Sequence, residues 1–203
     1  MKIGLYFGSF NPMHIGHLHV ANSVLRKAKL DLVWFVLTPL NPFKAGNDIV
    51  TYEHREEMIR HALRAFKSDY LKLCTVEKDL PTPNYTIDTL EKLKVLYPED
   101  TFELIMGADN IHLFKNWKNY QEILKNYTIN IYEREETYRK TENFCQQLYF
   151  NQNEVKGFRF IEDHVKLTIR STYIRSDLKE GINVSYLLPK KVYKYIKKYN
   201  LYG

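Results

Sequence analysis

The stretch IGLYFGSFNPMHIGHL, residues 3–18, decides the fold of this chain. It starts with an apolar run from Ile3 to Phe7, closed by Gly8-Ser9, and such a run predicts a buried parallel strand. From Leu18 onward the apolar residues recur with helical spacing, and basic residues gather near the end of that segment. The stretch therefore predicts a strand, a glycine-rich turn and a helix. Backbone N–H groups and the helix dipole at such a junction form an anion site suited to phosphate.

Two histidines, His14 and His17, lie at the mouth of this predicted turn. Spaced by three, they can share one side of the first helical turn and donate N–H bonds to the same phosphate. Gly8 and Gly16 are small enough for a phosphate to approach the backbone. An isolated pair of histidines would favour ordinary loop and helix-cap residues. Here the pair belongs to a pattern of ten residues, which favours a phosphate-binding site. The pattern resembles the signature of the HxGH nucleotidylyltransferases, and it has neither the Gly-Lys-Ser/Thr of the P-loop nor the dinucleotide spacing.

Length and composition favour a globular protein that handles anions. The 203 residues are 44% hydrophobic and 27% charged, with a net charge of +6 and a pI near 9.1. That charge admits nucleic acid as a partner, but small phosphorylated substrates need a basic cleft as well. No apolar run approaches the length of a membrane span, and Met1-Lys2 leads straight into the first strand without a signal peptide. Cys74 and Cys145 lack metal-type spacing, so we expect free thiols and a cytoplasmic protein.

A second apolar run, 31–38, ends at Pro39 and predicts a β-α-β unit with parallel strands. Ligands of such sheets lie at the carboxyl ends of the strands, where the stretch from Gly8 to His17 is already expected. The loop that follows carries one cation, Lys44. Lys44 is either a solvated loop residue or a mobile cation that closes over a substrate phosphate, and the two alternatives have equal weight.

Residues 51–66 predict an amphipathic helix that Thr51 can cap. Its apolar face contains Met58, Ile59, Ala62, Leu63 and Phe66. We expect His54 and Arg55 to make surface contacts rather than to act in catalysis, and His61 to lie at the surface.

Two later segments contain further candidate binding residues. Tyr85 and Thr86 open a predicted helix whose start can bind a carboxylate, although plain N-capping by Thr86 is the alternative. Asp109 follows a buried strand, where a carboxylate can accept two bonds from a ribose diol. We expect one helix to carry Leu113, Trp117, Tyr120, Ile123 and Leu124. Trp117 is either a core residue or a stacking face for an aromatic ring.

A second phosphate motif is expected at Ser171-Thr172-x-x-Arg175. Ser171 and Thr172 begin a predicted helix, so that their hydroxyls and N–H groups face an anion. Arg175 follows Ser171 by four and lies on the same face, and a guanidinium binds phosphate through two hydrogen bonds. Alone, this pattern favours a capped helix with a surface arginine. With the N-terminal signature, it resembles the motif that holds the outer phosphates of ATP in the same family.

The resemblance extends from Gly4 to Gly203, and its motifs are specific in combination and only moderately so singly. It implies a nicotinate mononucleotide adenylyltransferase. The segments 84–89 and 107–123 are similar to the family blocks around the pyridine ring. Two residues depart from the pattern, because Arg170 stands where a serine is usual and Asn11 where many members have aspartate. The resemblance implies one domain, 1–203, with the core sheet in about 1–165 and the second phosphate motif and helices in about 166–203. Its implied fold is a Rossmann-type, doubly wound, mainly parallel α/β sheet with a helical C-terminal extension.

The implied reaction joins ATP and nicotinate mononucleotide to give deamido-NAD and pyrophosphate. The resemblance assigns catalysis to His14 and His17, with Mg²⁺ bound mainly through ATP phosphates and no metal held by the protein. It implies ATP binding by Gly8, Ser9, Phe10, Gly16, Ser171, Thr172 and Arg175. It implies nicotinate mononucleotide binding by Lys44, Tyr85, Thr86, Asp109 and Trp117. Nucleic acid and membrane partners are not expected, and the oligomeric state is left open. The alternatives are another HxGH enzyme, acting on nicotinamide mononucleotide or phosphopantetheine or of the cytidylyl type, and, ranked last, a basic RNA-binding protein.

Overall fold

The structure is a computed structural model that describes residues 1–39, 49–133, 150, 154 and 156–203. The predictions for Lys44 and for the thiol of Cys145 fall outside these residues. Cys74 is buried and carries a free thiol. In the described ranges, no helix is both long enough and apolar enough to span a membrane.

Six strands of the described chain form one sheet in the order β3-β2-β1-β4-β5-β6. The strands are β1 (Lys2–Gly8), β2 (Leu32–Leu37), β3 (Leu71–Cys74), β4 (Thr101–Gly107), β5 (Ile129–Tyr132) and β6 (Phe158–Ile161). Every neighbouring pair in this sheet is parallel. This is the strand order of the Rossmann fold, so the predicted doubly wound α/β architecture is confirmed.

Helices cover both faces of the sheet. The α-helices whose bounds fall within the described ranges are α1 (Ile15–Lys27), α2 (Tyr52–Phe66), α3 (Thr86–Leu96), α4 (Tyr120–Asn126), α5 (Ser171–Lys179) and α6 (Lys190–Lys198). Short 3-10 helices span Val76–Asp79, Ala108–Asn116 and Ser185–Leu187. Apolar side chains of α1, α2, α5 and α6 share one core cluster, and those of α3, α4 and the 108–116 helix share the other. The two clusters bury the two faces of the sheet, as an α/β layer structure requires.

The order of the strands places a crevice between β1 and β4. β1 pairs with β2 through Gly8 and Leu37 on one side, and with β4 through Tyr6 and Ile105 on the other. The chain therefore leaves β1 in one direction and later returns to its opposite side. At such a switch point the loops after the two strands diverge, which leaves room for a ligand at their carboxyl ends.

The helix expected after Asp109 is interrupted, which corrects the sequence prediction. A 3-10 helix ends at Asn116, Trp117 is extended with φ −73° and ψ 141°, and α4 begins only at Tyr120. Asn119 permits this break, because its φ of 52° lies in the left-handed region that asparagine tolerates. Trp117 therefore lies on a turn between two helices rather than on a continuous helical face.

The surface placement expected for the α2 histidines is also wrong. His61 packs its ring on Tyr195 of α6 at a centroid distance of 5.2 Å, and His54 Nδ1 lies 3.0 Å from the Tyr195 hydroxyl. Both histidines are only partly exposed. The prediction failed because the partner helix lies more than 130 residues away in sequence.

A buried carboxylate connects four strands near their amino ends, at the end of the sheet opposite the crevice. Glu103 of β4 forms ion pairs with Lys2 of β1 at 2.8 Å and with Arg159 of β6 at 2.7 Å. Asn130 of β5 donates to the same carboxylate at 2.8 Å. Burial alone would raise the pKa of Glu103, but the hydrogen bonds from Lys2, Asn130 and Arg159 outweigh it and lower the pKa.

We predict that Glu103→Gln lowers the free energy of unfolding by about 1–2 kcal/mol at pH 7, because Arg159 and Lys2 lose a charged acceptor. Because the folded-state pKa of Glu103 is lowered, its carboxylate stabilises the folded protein at pH values above the ordinary pKa of 4.5. This stabilisation disappears as the pH falls through the folded-state pKa. Urea unfolding at several pH values measures the difference, with the exposed Glu99→Gln as control. An equal loss at pH 7 and at about pH 3 would contradict the assignment.

Candidate active site

A cavity of about 600 Å³ opens at the carboxyl ends of β1 and β4. It is lined by most of the residues that the sequence singled out, from three distant parts of the chain. These are Gly8, Ser9, Phe10, His14, His17, Tyr85, Thr86, Asp109, Trp117, Ser171, Thr172 and Arg175. The structure brings these residues together around one cavity, and their assignment as site residues stays a prediction.

The two histidines of the signature are stacked on each other. Their ring centroids lie 3.6 Å apart, and His14 is only 1% exposed. The His14 backbone N–H donates to Nδ1 of His17 at 3.3 Å. Because Nδ1 accepts, a neutral His17 carries its proton on Nε2, which can then donate to an anion. Gly16 leaves room for this stack, since a Cβ at that position would lie 3.0 Å from Nδ1 of His14 and would displace its ring.

The ring of Phe10 packs against the ring of His17. Its ring is 3% exposed and meets the His17 ring edge-on at a centroid distance of 5.1 Å. Its backbone is left-handed, with φ 45°, which turns the chain sharply after Ser9. Gly8 accommodates the same ring, since a Cβ on Gly8 would lie 3.0 Å from it. The side chain of Phe10 is therefore part of the core, and a ligand would meet its backbone.

Two hydrogen bonds join α5 to the loop after β1. The Ser171 hydroxyl donates to the Pro12 carbonyl at 3.0 Å, and Arg175 donates to the Asn11 carbonyl at 2.9 Å. The hydroxyl proton of Ser171 is thus used within the protein, which differs from the expectation that it faces an anion. The Arg175 side chain keeps further donors, and its Nε is buried without a hydrogen-bond partner. These bonds place Arg175 on the same side of the sheet as His17.

The opposite wall is formed by the start of α3 and the turn at Trp117. Tyr85 is the N-cap of α3, and no side chain caps this helix, so N-capping by Thr86 is not observed. Trp117 is half-buried and packs on Phe114 at a centroid distance of 5.1 Å. Lys118 binds Asp88 at 2.7 Å and lies 5.0 Å from the centre of the Tyr85 ring. The uncapped helix start and an aromatic face therefore border the same space.

Asp109 lies at the end of β4, as predicted. Its Oδ1 is buried without a hydrogen-bond partner, so it can accept a bond from a ligand. The preceding Gly107 leaves it room, because a Cβ on Gly107 would overlap Oδ1 of Asp109.

One functional candidate, Glu77, was missed by sequence reasoning. It lines the cavity, is 1% exposed, and accepts a hydrogen bond from Thr89 at 2.7 Å. Its backbone carbonyl accepts a bond from the Asn84 side chain at 3.0 Å, which closes the loop that leads to Tyr85. Burial raises the pKa of the Glu77 carboxyl, whose Oε2 has no hydrogen-bond partner. The sequence could not indicate this burial, because Glu77 is an isolated acidic residue in a polar, proline-containing segment that has no apolar periodicity.

The surface position predicted for Arg55 is wrong. Arg55 is 2% exposed, and its guanidinium donates four hydrogen bonds to backbone carbonyls under the loop that follows β1. The helical pattern of 51–66 marked only the apolar residues as buried. It carried no information on the carbonyl groups that other segments present to the start of α2.

A family model described as cytidylyltransferase-like matches residues 5–177. The chain belongs to the cytidylyltransferase-like family. Members similar to it include proteins of Flavobacterium johnsoniae, 41% identical over 206 residues, and of Flavobacterium psychrophilum, 40% identical over 202 residues. Each comparison covers 100% of this chain and 99% of the relative, and both relatives are named "probable nicotinate-nucleotide adenylyltransferase".

Solved structures share the fold of this cytidylyltransferase-like chain. The Plasmodium falciparum nicotinic acid mononucleotide adenylyltransferase complexed with NaAD superimposes with a TM-score of 0.76 at 22% identity. The alignment covers 99% of this chain and 97% of the other. At this identity the similarity supports the architecture, and the chemistry has to be argued from the cavity itself.

We predict that Thr89→Val destabilises the protein by about 1–2 kcal/mol at pH 7, because it removes a hydrogen-bond donor to the Glu77 carboxylate. The pKa of Glu77 is raised on folding, so the loss is small below the ordinary glutamate pKa and grows as the pH rises through the folded-state value. Urea unfolding at about pH 4 and pH 7 measures this. When Glu77 is replaced by Gln, the stability lost through Thr89→Val should no longer depend on pH. A pH-independent loss in the Thr89→Val variant alone would refute the coupling between Thr89 and Glu77.

Proposed function

We propose that this chain transfers the adenylyl group of ATP to nicotinate mononucleotide, giving deamido-NAD and pyrophosphate. One observation carries the proposal: two groups of phosphate donors and an aromatic, uncapped helix start line a single cavity. The names of the full-length relatives support it. So does the Plasmodium falciparum enzyme of the same fold, which is described in complex with NaAD.

The phosphate side of the cavity would bind ATP. His17 would donate Nε2–H near the α-phosphate, with the buried ring of His14 stacked behind it. Arg175 would take the outer phosphates, together with the start of α5 at Ser171 and Thr172. Gly8, Ser9 and the backbone of Phe10 would form the floor and allow the phosphates close to the backbone. Gly16 does not line the cavity, and its proposed part is to leave room for the ring of His14.

The reaction needs positioning and charge stabilisation rather than a covalent catalyst. A phosphate oxygen of nicotinate mononucleotide attacks the α-phosphorus of ATP in line and forms the new P–O bond. The bond from the α-phosphorus to the bridging oxygen of the β-phosphate breaks, and pyrophosphate leaves with that electron pair. Cationic and N–H donors on both sides of the α-phosphate stabilise the charge that accumulates during this transfer.

The opposite wall would bind the acceptor. The pyridine ring would stack on Trp117, its carboxylate would meet the uncapped start of α3 near Tyr85 and Thr86, and Asp109 would accept from the ribose. A positive helix end favours the acid over the neutral amide. Lys44 is proposed as an additional cation for a substrate phosphate.

Mg²⁺ is proposed to arrive with ATP and to be held through phosphate oxygens and water. The donor set fits this arrangement, because His17, Arg175 and the start of α5 offer N–H groups that bind phosphate rather than a cation. In the described part of the chain, no group of three or more His, Cys, Asp or Glu could hold a metal. When bound, the ion would neutralise phosphate charge.

The wider setting is also part of the proposal. Both substrates are soluble nucleotides, so we propose a cytoplasmic enzyme with no nucleic acid or membrane partner. We further propose that residues 1–203 act as one nucleotidylyltransferase domain, since α5 and α6 pack in the same core cluster as α1 and α2.

A panel of acceptors tests the proposed substrate. Pyrophosphate release is measured with ATP and nicotinate mononucleotide, nicotinamide mononucleotide or phosphopantetheine, and with CTP and choline phosphate. We expect the acid to give the largest kcat/KM, because only its carboxylate gains from the helix dipole of α3. Release with another acceptor alone, or RNA binding without ATP turnover, would contradict the proposal and favour the corresponding alternative.

We predict that His17→Ala lowers kcat by about two to four orders of magnitude, the range for losing a positioned donor to the transition state. Circular dichroism should remain unchanged, because His17 packs at the rim of the core. His112→Ala is the control, since His112 is exposed and does not line the cavity. Full activity of the His17 variant would remove His17 from the mechanism.

A further inference from the structure

Arg55 of α2 is a buried cation directly beneath the loop that follows β1. It is 2% exposed and does not itself line the cavity. Its guanidinium donates to the carbonyls of Thr38 at 2.8 Å, Pro39 at 3.0 Å, Val50 at 3.1 Å and Ser9 at 3.2 Å. One side chain therefore binds the loop after β1, the segment after β2 and the residue that leads into α2.

These bonds orient a peptide group of the proposed phosphate site. In a trans peptide the C=O and the following N–H point in opposite directions. The Ser9 carbonyl points to Arg55, so the N–H of Phe10 is directed away from Arg55, and Ser9 and Phe10 both line the cavity. The Thr38 N–H also donates to the Gly8 carbonyl at 3.1 Å, which holds the ends of β1 and β2 together above Arg55.

The guanidinium of Arg55 donates hydrogen bonds only to neutral carbonyl oxygens, and the exposed Glu53 acts on its charge from beyond ion-pair distance. No carboxylate of the described residues lies within ion-pair distance of its guanidinium. Burial lowers the pKa of Arg55, yet a guanidinium remains protonated in proteins. A buried cation without a paired anion is unfavourable, and a bound triphosphate in the adjacent cavity would lower that cost.

We propose that Arg55 is the positioning residue of the ATP phosphate loop. It fixes the Ser9 peptide so that the Phe10 N–H faces the triphosphate, and its buried charge is balanced when ATP binds. The inference rests on the proposed function and extends it to a residue outside the cavity. A lysine cannot replace it, because one ammonium group cannot span four carbonyls in the fixed geometry of a guanidinium fork.

The test compares Arg55→Lys and Arg55→Met with the matched control Arg60→Met. Arg60 lies on the same helix, is exposed and pairs with Glu56 at 2.6 Å. Steady-state rates are measured with ATP varied at saturating nicotinate mononucleotide and then the reverse. We expect the KM for ATP to rise about tenfold in Arg55→Lys and about a hundredfold in Arg55→Met. The KM for nicotinate mononucleotide should stay within about twofold, and Arg60→Met should match the unaltered protein.

A merely structural role gives a different pattern. A folded Arg55 variant with an unchanged KM for ATP, or with equal increases in both KM values, would overturn the inference. If the unaltered protein does not turn over nicotinate mononucleotide, the proposed function fails independently of Arg55. Calorimetry then measures the Kd for ATP, and the proposal for Arg55 requires this Kd to rise about tenfold in Arg55→Lys.

A measurement on the unaltered protein covers the case in which neither variant folds. The Nε–H signal of Arg55 in ¹⁵N-arginine-labelled protein should shift when ATP is added, because the anion changes its electrostatic environment. The signal of Arg60 should not move. An Arg55 signal that stays in place at saturating ATP would overturn the proposal.

Discussion

The structure depends on the contact between α5 and the loop that follows β1. Two hydrogen bonds, from Ser171 to Pro12 and from Arg175 to Asn11, connect segments about 160 residues apart. Phosphates repel one another strongly, so a site for a triphosphate must gather cationic and N–H donors in one place. This contact does so: it brings Arg175 to the cavity that the signature histidines line. Without it, β1 and α1 would offer a site for a single phosphate group.

The cavity has two chemically distinct walls. One side, built by the loop after β1 and by α5, presents N–H groups and a guanidinium. The other presents the indole of Trp117, the start of α3 and the free oxygen of Asp109. The Rossmann strand order explains this division, because β1 and β4 are neighbours whose following loops diverge to opposite faces of the sheet. A nucleotide with an aromatic acid at one end and a phosphate at the other matches both walls.

Local patterns in the sequence, together with the family resemblance, predicted the fold and the location of most site residues. Strand and helix periodicity gave the β-α-β unit, and the residues from Gly8 to His17 carried the phosphate signal in one continuous stretch. The predictions that failed depended on side-chain contacts and backbone conformations that apolar periodicity does not report. The Arg55 side chain is buried because carbonyls from three other segments converge on it, and Glu77 because Thr89 and Asn84 fold back over it. The break at Trp117 depends on a left-handed Asn119, which propensity alone does not predict.

A crystal structure with a non-hydrolysable ATP analogue and Mg²⁺ tests the central claim most directly. The account predicts one triphosphate in the cavity, with Nε2 of His17 within hydrogen-bond distance of the α-phosphate oxygens and Arg175 bound to the outer phosphates. A triphosphate that contacts only one of these two residues, or that lies outside the cavity, would contradict it.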